Sequence, residues 1–165
     1  MNAPTLNLFI VDDDITAVKG LRKYLAARFG DNLTISTFYN GESALKMVNS
    51  DTSIVILDFN LGNEDGNQVL KAIKAINPKT EVIMLTSNED IGIAIESFRG
   101  GATDYVLKGG QAWKKIEKQI YRILLYPINF MVKELRVSKL LAIFLLTFVT
   151  MGVAVYFIMK YVNFV

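Results

Sequence analysis

The sequence contains no cysteine and no histidine, and only three prolines and one tryptophan. Without cysteine there is no disulfide and no thiolate metal site. Without histidine there is no serine–histidine or cysteine–histidine catalysis, and no phosphohistidine is carried by these residues. A metal bound here is therefore held by oxygen. The chain is also short of charge along one long stretch, and the charge it has is unevenly spread. Residues 1–110 hold 10 Lys and Arg against 14 Asp and Glu, whereas residues 111–165 hold 8 against 2, so the formal charge of +2 conceals segments of −4 and +6. The basic segment adjoins the uncharged stretch, which points to the surface of an anionic membrane rather than to nucleic acid. At 165 residues there is room for one ordinary domain and an appendage.

The organising stretch is Ser53 to Gly66, where Ile54, Val55, Ile56 and Leu57 run directly into Asp58. A segment apolar on both faces reads as a central parallel strand, and a carboxylate at its carboxyl end stands where open parallel sheets build their sites. Asn60, Gly62, Asn63, Asp65 and Gly66 supply turn chemistry, and Asn67 to Ile76 resumes a helical pattern. The same alternation runs through the chain. Strands are expected at Leu6–Val11, Leu33–Phe38, Ser53–Asp58, Glu81–Thr86 and Asp104–Leu107. Helices are expected at Ile15–Phe29, Gly41–Asn49, Asn67–Ile76, Ile91–Arg99 and Gln111–Tyr126. Five βα units in order imply an α/β fold, a doubly wound five-stranded parallel sheet of flavodoxin-like (βα)5 type. The stripe Trp113, Ile116, Ile120 and Ile123 reads as the sheet-facing core of the last helix, and Asp14 as a helix cap.

Parallel strands end on one edge, so Asp12, Asp13, Asp58, Thr86 and Lys108 should converge. Three carboxylates together repel unless a cation sits among them, and a hard divalent ion such as Mg²⁺ suits those oxygens and leaves room for water and a phosphate. A carboxylate so placed can attack phosphorus while Lys108 and the Thr86 hydroxyl bond phosphoryl oxygens. The residues propose phosphoryl transfer to an aspartate.

Four motifs in order, Ile10-Val11-Asp12-Asp13, Leu57-Asp58 through Asp65-Gly66, Leu85-Thr86-Ser87 and Tyr105-Val106-Leu107-Lys108, resemble the response-regulator receiver domain, the CheY-like family of two-component signalling. The resemblance covers about Leu6 to Leu125. It implies that Asp58 accepts a phosphoryl group from a sensor histidine kinase or a histidine phosphotransfer protein. It further implies that Asp13, Asp58 and the Asn60 carbonyl hold Mg²⁺, with Asp12 assisting through water. Thr86 and Lys108 would contact the phosphoryl group, and Tyr105 would be an aromatic switch. Such a protein is a phosphoacceptor, not an enzyme in the ordinary sense. Two positions depart from the family's frequent prolines, Gly62 in the acceptor loop and Gly109 after Lys108, and both loops are expected to be more mobile. Asn60 and Asn88 are polar residues that could influence a hydrolytic water.

Leu140 to Met159 carries no charge, and twelve of its twenty residues are Leu, Ile, Phe or Val. At 1.5 Å per residue it spans about 30 Å, the thickness of a bilayer's hydrocarbon core. The expected organisation is a receiver over 1–126, a basic linker over 127–139, a transmembrane helix over 140–159 and a tail over 160–165. Lys133, Arg136 and Lys139 precede the span and only Lys160 follows it, which keeps the receiver on the cytoplasmic side of the inner membrane. Lys114, Lys115, Lys118 and Arg122 are either an ordinary solvated face or a lipid contact. The expected partners are a histidine kinase or phosphotransfer protein, a downstream protein and membrane lipid, with no nucleic acid and no output domain. Two rivals remain at this point. Asp12-Asp13-Asp14-Ile15-Thr16 also fits the signature of a haloacid-dehalogenase-type phosphatase with Asp12 as nucleophile, and a receiver-shaped adapter could bind partners without being phosphorylated.

Overall fold

The computed structural model describes residues 5–125 and 139–162. The chain divides into two compact units, Met1–Glu117 and Lys118–Val165. In the first, five parallel strands form one sheet: β1 (Leu6–Val11), β2 (Leu33–Phe38), β3 (Thr52–Asp58), β6 (Glu81–Thr86) and β7 (Asp104–Leu107), in the order β2-β1-β3-β6-β7. Alternation along the central strands divides their apolar residues between two faces. Phe9, Val11, Val55, Leu57, Val82 and Met84 pack in one cluster with Ala44, Val48, Val69, Leu70 and Ile73. Their neighbours Leu8, Ile10, Ile54, Ile56, Ile83 and Leu85 are equally buried on the opposite face. Burial on both faces is why these strands read as continuous apolar runs.

Five helices alternate with the strands: α1 (Ile15–Phe29), α2 (Gly41–Leu45), α3 (Gly66–Ile76), α4 (Ile91–Arg99) and α5 (Ala112–Leu124). Asp14 caps α1 as expected, its carboxylate accepting the N–H groups of Thr16 (2.8 Å) and Ala17 (3.1 Å). Val18, Leu21, Leu25 and Phe29 are the buried face of α1.

Three details differ from the sequence reading. Helix α2 stops at Leu45 rather than Asn49, where the Ala44 carbonyl accepts the N–H groups of both Met47 (2.9 Å) and Val48 (3.1 Å), a shared bond that ends the regular ladder. Trp113 is not core: Ala112, Ile116 and Ile120 form the buried stripe of α5, and Trp113, one step round, stays 39% exposed. Its ring lies against Gly20 of α1, with its centroid 5.5 Å from that of Tyr24. Finally, the loop after β3 is an antiparallel hairpin of β4 (Asn60–Leu61) and β5 (Glu64–Asp65).

In the second unit, α6 (Lys139–Val162) is a 24-residue helix in which Lys139–Tyr161 is long and apolar enough to cross a bilayer, with no side chain buried among those described. The basic residues Lys133 and Arg136 and the linker around them, as well as Tyr126 and the last three residues, lie outside the described residues.

Candidate functional site

The site forms where the winding of the sheet changes direction. Strand β1 pairs with β2 on one side and β3 on the other, so the carboxyl ends of β1 and β3 flank the crevice in which open α/β sheets bind ligands. Asp12 follows β1 and Asp58 closes β3. Both are buried, at 3% and 4% exposure, and with the exposed Asp13 they place carboxylate oxygens within 4.8 Å of one another. Lys108 enters from the end of β7, where its backbone N–H bonds the Thr86 carbonyl at 2.7 Å. From there its side chain extends past β6 toward β3. Its Nζ ends 2.7 Å from Asp58 Oδ2 and 2.8 Å from Asp12 Oδ2. Asp12 Oδ1 accepts the N–H of Asp14 at 2.9 Å.

These charges do not balance. Two buried carboxylates share one ammonium, and Asp13 adds a third negative group. Burial pushes the Asp58 carboxyl above its ordinary value, bonds from Lys108 and from the Asn60 N–H pull it back, and the charge of Asp12 raises it again. Burial works against the charge of Lys108 as well, but the hydrogen bonds and charges of Asp12 and Asp58 outweigh it and its pKa is raised. The cluster is short of positive charge and offers hard oxygen donors, which fits a small divalent cation such as Mg²⁺.

The hairpin that follows Asp58 is tied in from three sides. Gly62 turns it with φ +65°, which proline, fixed near −65°, cannot adopt; its open Cα side comes near Asp13 Oδ2. Gly66 donates its N–H to the Phe59 carbonyl at 2.8 Å, and a Cβ there would meet the Asp58 carbonyl oxygen at 2.5 Å. Glu64 reaches back to accept the N–H of Gly41 and, at 3.4 Å, that of Glu42, clasping the acceptor loop to the start of α2. Sequence reasoning missed Glu64. A glutamate in a polar loop gives no sign of a partner more than twenty residues away, although an unpaired helix start after Asn40 needs acceptors from somewhere.

Thr86 ends β6 beside the cluster and is fully buried. Its hydroxyl accepts the Asn88 N–H at 3.0 Å. The half-buried Tyr105 donates its hydroxyl to the Asn88 carbonyl at 2.9 Å, and burial raises its pKa. Asp12, Asp13, Asp58 and Lys108 are thus brought together, while Thr86, Asn88 and Tyr105 form an adjoining hydroxyl network. Against the phosphatase reading, Asp12 and Asp14 are both engaged, one with Lys108 and the other as the cap of α1.

The response regulator receiver domain model matches residues 8–120. The transcriptional regulatory protein ZraR of Salmonella typhimurium is 31% identical over 104 residues, 62% of this chain and 23% of its own length. The DNA-binding transcriptional regulator NtrC of Escherichia coli is 36% identical over 102 residues, 61% of this chain and 21% of its own. The chain therefore spans less than a quarter of these relatives. Both are transcriptional regulators by name, and NtrC is DNA-binding by name, which runs against the expectation of partners without nucleic acid. Among solved structures, the BeF3-activated receiver domain of DrrB, from Thermotoga maritima, is 28% identical with a TM-score of 0.64, covering 73% of this chain and 97% of that one. A CheY-like receiver from Methanospirillum hungatei shares the fold at 18% identity, with a TM-score of 0.65, over 72% and 94% of the two chains. With a model match over more than half of its length, the chain belongs to the response regulator receiver domain family, phosphoacceptors for histidine kinases that bind Mg²⁺ at an acidic cluster such as Asp12, Asp13 and Asp58.

Proposed function

We propose that the chain is a membrane-anchored response regulator that takes a phosphoryl group onto Asp58 from the phosphohistidine of a partner kinase or phosphotransfer protein, then signals through protein contacts. The observation that carries this reading is the position of Lys108 Nζ, 2.7 Å from Asp58 Oδ2 and 2.8 Å from Asp12 Oδ2 beside Asp13. An Asp58 oxygen attacks phosphorus, forming the O–P bond as the N–P bond to the partner's imidazole breaks and its electron pair returns to that nitrogen. Lys108 offsets charge on a phosphoryl oxygen, for which it exchanges part of its present contact with the carboxylates. The Thr86 hydroxyl leaves the Asn88 N–H to bond another oxygen, and Tyr105, linked to Thr86 through Asn88, follows it inward as the switch. Asp13, Asp58 and the Asn60 carbonyl would hold Mg²⁺, with Asp12 acting through water. The bound ion would supply charge neutralisation for the attacking carboxylate and the transferred group.

The receiver is assigned to residues 1–126, the linker to 127–139, the anchor to 140–159 and the tail to 160–165. Support for the anchor comes from the unburied span Lys139–Tyr161. The excess of cations before it puts the receiver in the cytoplasm, where kinases and Mg²⁺ are found. The test is the intact mass of the full chain in detergent after Mg²⁺ and acetyl phosphate. The parent gains one phosphoryl group and Asp58→Asn gains none. Label that persists on Asp58→Asn and vanishes on Asp12→Asn would support a phosphatase, and no gain in the parent would leave an unphosphorylated adapter.

A further inference from the structure

Helices α1 and α5 carry a strongly charged surface that phosphotransfer does not use. Helix α1 contains Lys19, Arg22, Lys23 and Arg28 and no acid, with Asp14 and Asp31 lying beyond its two ends. Helix α5 contains Lys114, Lys115, Lys118 and Arg122 and one acid, Glu117. The two helices pack side by side through Tyr24, Trp113 and Gly20. Glu117 faces that seam: it accepts the Tyr24 hydroxyl, lies 3.5 Å from Arg28, and its side chain is only 15% exposed. The single acid is therefore consumed inside the seam. Lys19, Lys23, Lys114 and Lys115 remain exposed and form no ion pair among the described residues.

The periodicity of α5 sharpens this. At 3.6 residues per turn, Lys114, Lys115, Lys118 and Arg122 fall within roughly 100° of arc, on the side away from the buried Ala112, Ile116 and Ile120. By the same count, Lys19 and Lys23 lie away from the buried Val18, Leu21 and Leu25 of α1. Ordinary solvated helices mix both signs; these two present one. A cluster of three acids, Asp12, Asp13 and Asp58, lies instead at the strand-end edge.

We propose that the α1–α5 face is a docking surface for an anionic bilayer, binding headgroups of the phosphatidylglycerol type through Lys19, Lys23, Lys114 and Lys115. The complement is a dense sheet of negative charge, which a one-sign surface suits better than a protein partner of mixed charge. The proposal rests on the membrane reading of α6 for its tether. Sixteen residues separate Arg122 from Lys139, a reach of at most about 60 Å, so the face is held at high effective concentration beside the lipid. Docked in this way, the sheet's acidic edge is repelled from the surface and stays open to a phosphoryl donor.

The experiment reconstitutes the full chain into vesicles of phosphatidylcholine alone or mixed with phosphatidylglycerol, and measures acylation rates of individual lysines by mass spectrometry. Flotation of the same samples reports the anchor separately. In anionic vesicles at low salt, Lys19, Lys23, Lys114 and Lys115 should react at least about tenfold more slowly than in neutral vesicles, with recovery as salt shortens the screening length. Lys46 and Lys79, exposed elsewhere, should be unchanged. Charge reversal at Lys19, Lys23, Lys114 and Lys115 should abolish protection of Lys118 while leaving acetyl phosphate labelling intact. Equal rates in both vesicles, with flotation in both, would overturn the docking face and leave the anchor standing. Failure to float with neutral vesicles, with protection still conferred by anionic ones, would overturn the anchor and leave the face. Protection by a soluble RNA but not by anionic vesicles would assign the face to nucleic acid and overturn the proposal.

Discussion

The acceptor edge and helix α6 depart from ordinary burial in opposite directions. At the edge, Asp12 and Asp58 are charged groups taken almost wholly out of water, whereas α6 leaves Leu140, Phe144, Phe148 and Met151 more than 60% exposed. Buried charge and exposed apolar surface are each costly in water, and each marks a place where something else is meant to bind. At the edge the missing partner is positive charge. At α6 the partner we propose is hydrocarbon, and the same test, unmet solvation, points to both regions.

The largest expected effect breaks the α6 side of this comparison. Replacing Leu146 and Val149 with arginine should cost about 7 kcal/mol of insertion free energy and move the chain from the carbonate-resistant pellet to the supernatant. Acetyl phosphate should still label Asp58 in that variant. A chain that stays in the pellet would mean that α6 is not held by lipid. On the edge side, Lys108→Met leaves two buried carboxylates without their cation and should destabilise the Mg²⁺-free receiver by about 3 kcal/mol. Unfolding followed by the fluorescence of Trp113, the single tryptophan, reads this, and Mg²⁺ should restore part of the loss. Next, Gly66→Ala drives a Cβ into the Asp58 and Phe59 backbone and should cost about 1 to 3 kcal/mol while slowing acetyl phosphate labelling.

The smallest effect concerns pH. Asp58 has a raised pKa in the folded chain, so the fold binds its proton more tightly than the unfolded chain does. Its contribution to stability therefore falls as pH rises from the ordinary value of 3.8 through the folded value. Without Mg²⁺, Asp58→Asn should remove that acidic-range decline. Lys108, raised above 10.5, contributes stability that is complete below 10.5 and lost as pH climbs through its folded value. Lys108→Met should flatten that alkaline limb. Denaturation midpoints taken across both ranges check the two signs.

Much of this was legible in the residues. The bounds of β1, β2, β6, β7, α1 and α4 follow from apolar-rich runs closed by polar or charged residues, Gly30 or Gly100, and the convergence of Asp12, Asp58 and Lys108 follows from strand ends in a parallel sheet. What escaped was lateral. Trp113 shares the helical spacing of Ile116 and Ile120, yet periodicity does not say whether a ring enters the core or lies in a seam between helices. The Glu64 clasp on Gly41 and the Thr86–Asn88–Tyr105 network join polar side chains to backbone groups brought together only by folding, and no pattern of residue types encodes such pairs. At Gly62 the sequence showed only that proline is absent; the positive φ of the hairpin turn there, which proline would forbid, has no signature in residue type beyond glycine itself.

The central claim is that Asp58 is the phosphoryl acceptor. The most direct measurement treats the full chain, in membranes with Mg²⁺, with a phosphorylated histidine kinase domain, reduces the acyl phosphate with borohydride, and maps the resulting homoserine by peptide mass spectrometry. Conversion at residue 58 alone, stopped by Lys108→Met, is the predicted result. Conversion at Asp12, or none at residue 58 while a control receiver is labelled by the same donor, would contradict it.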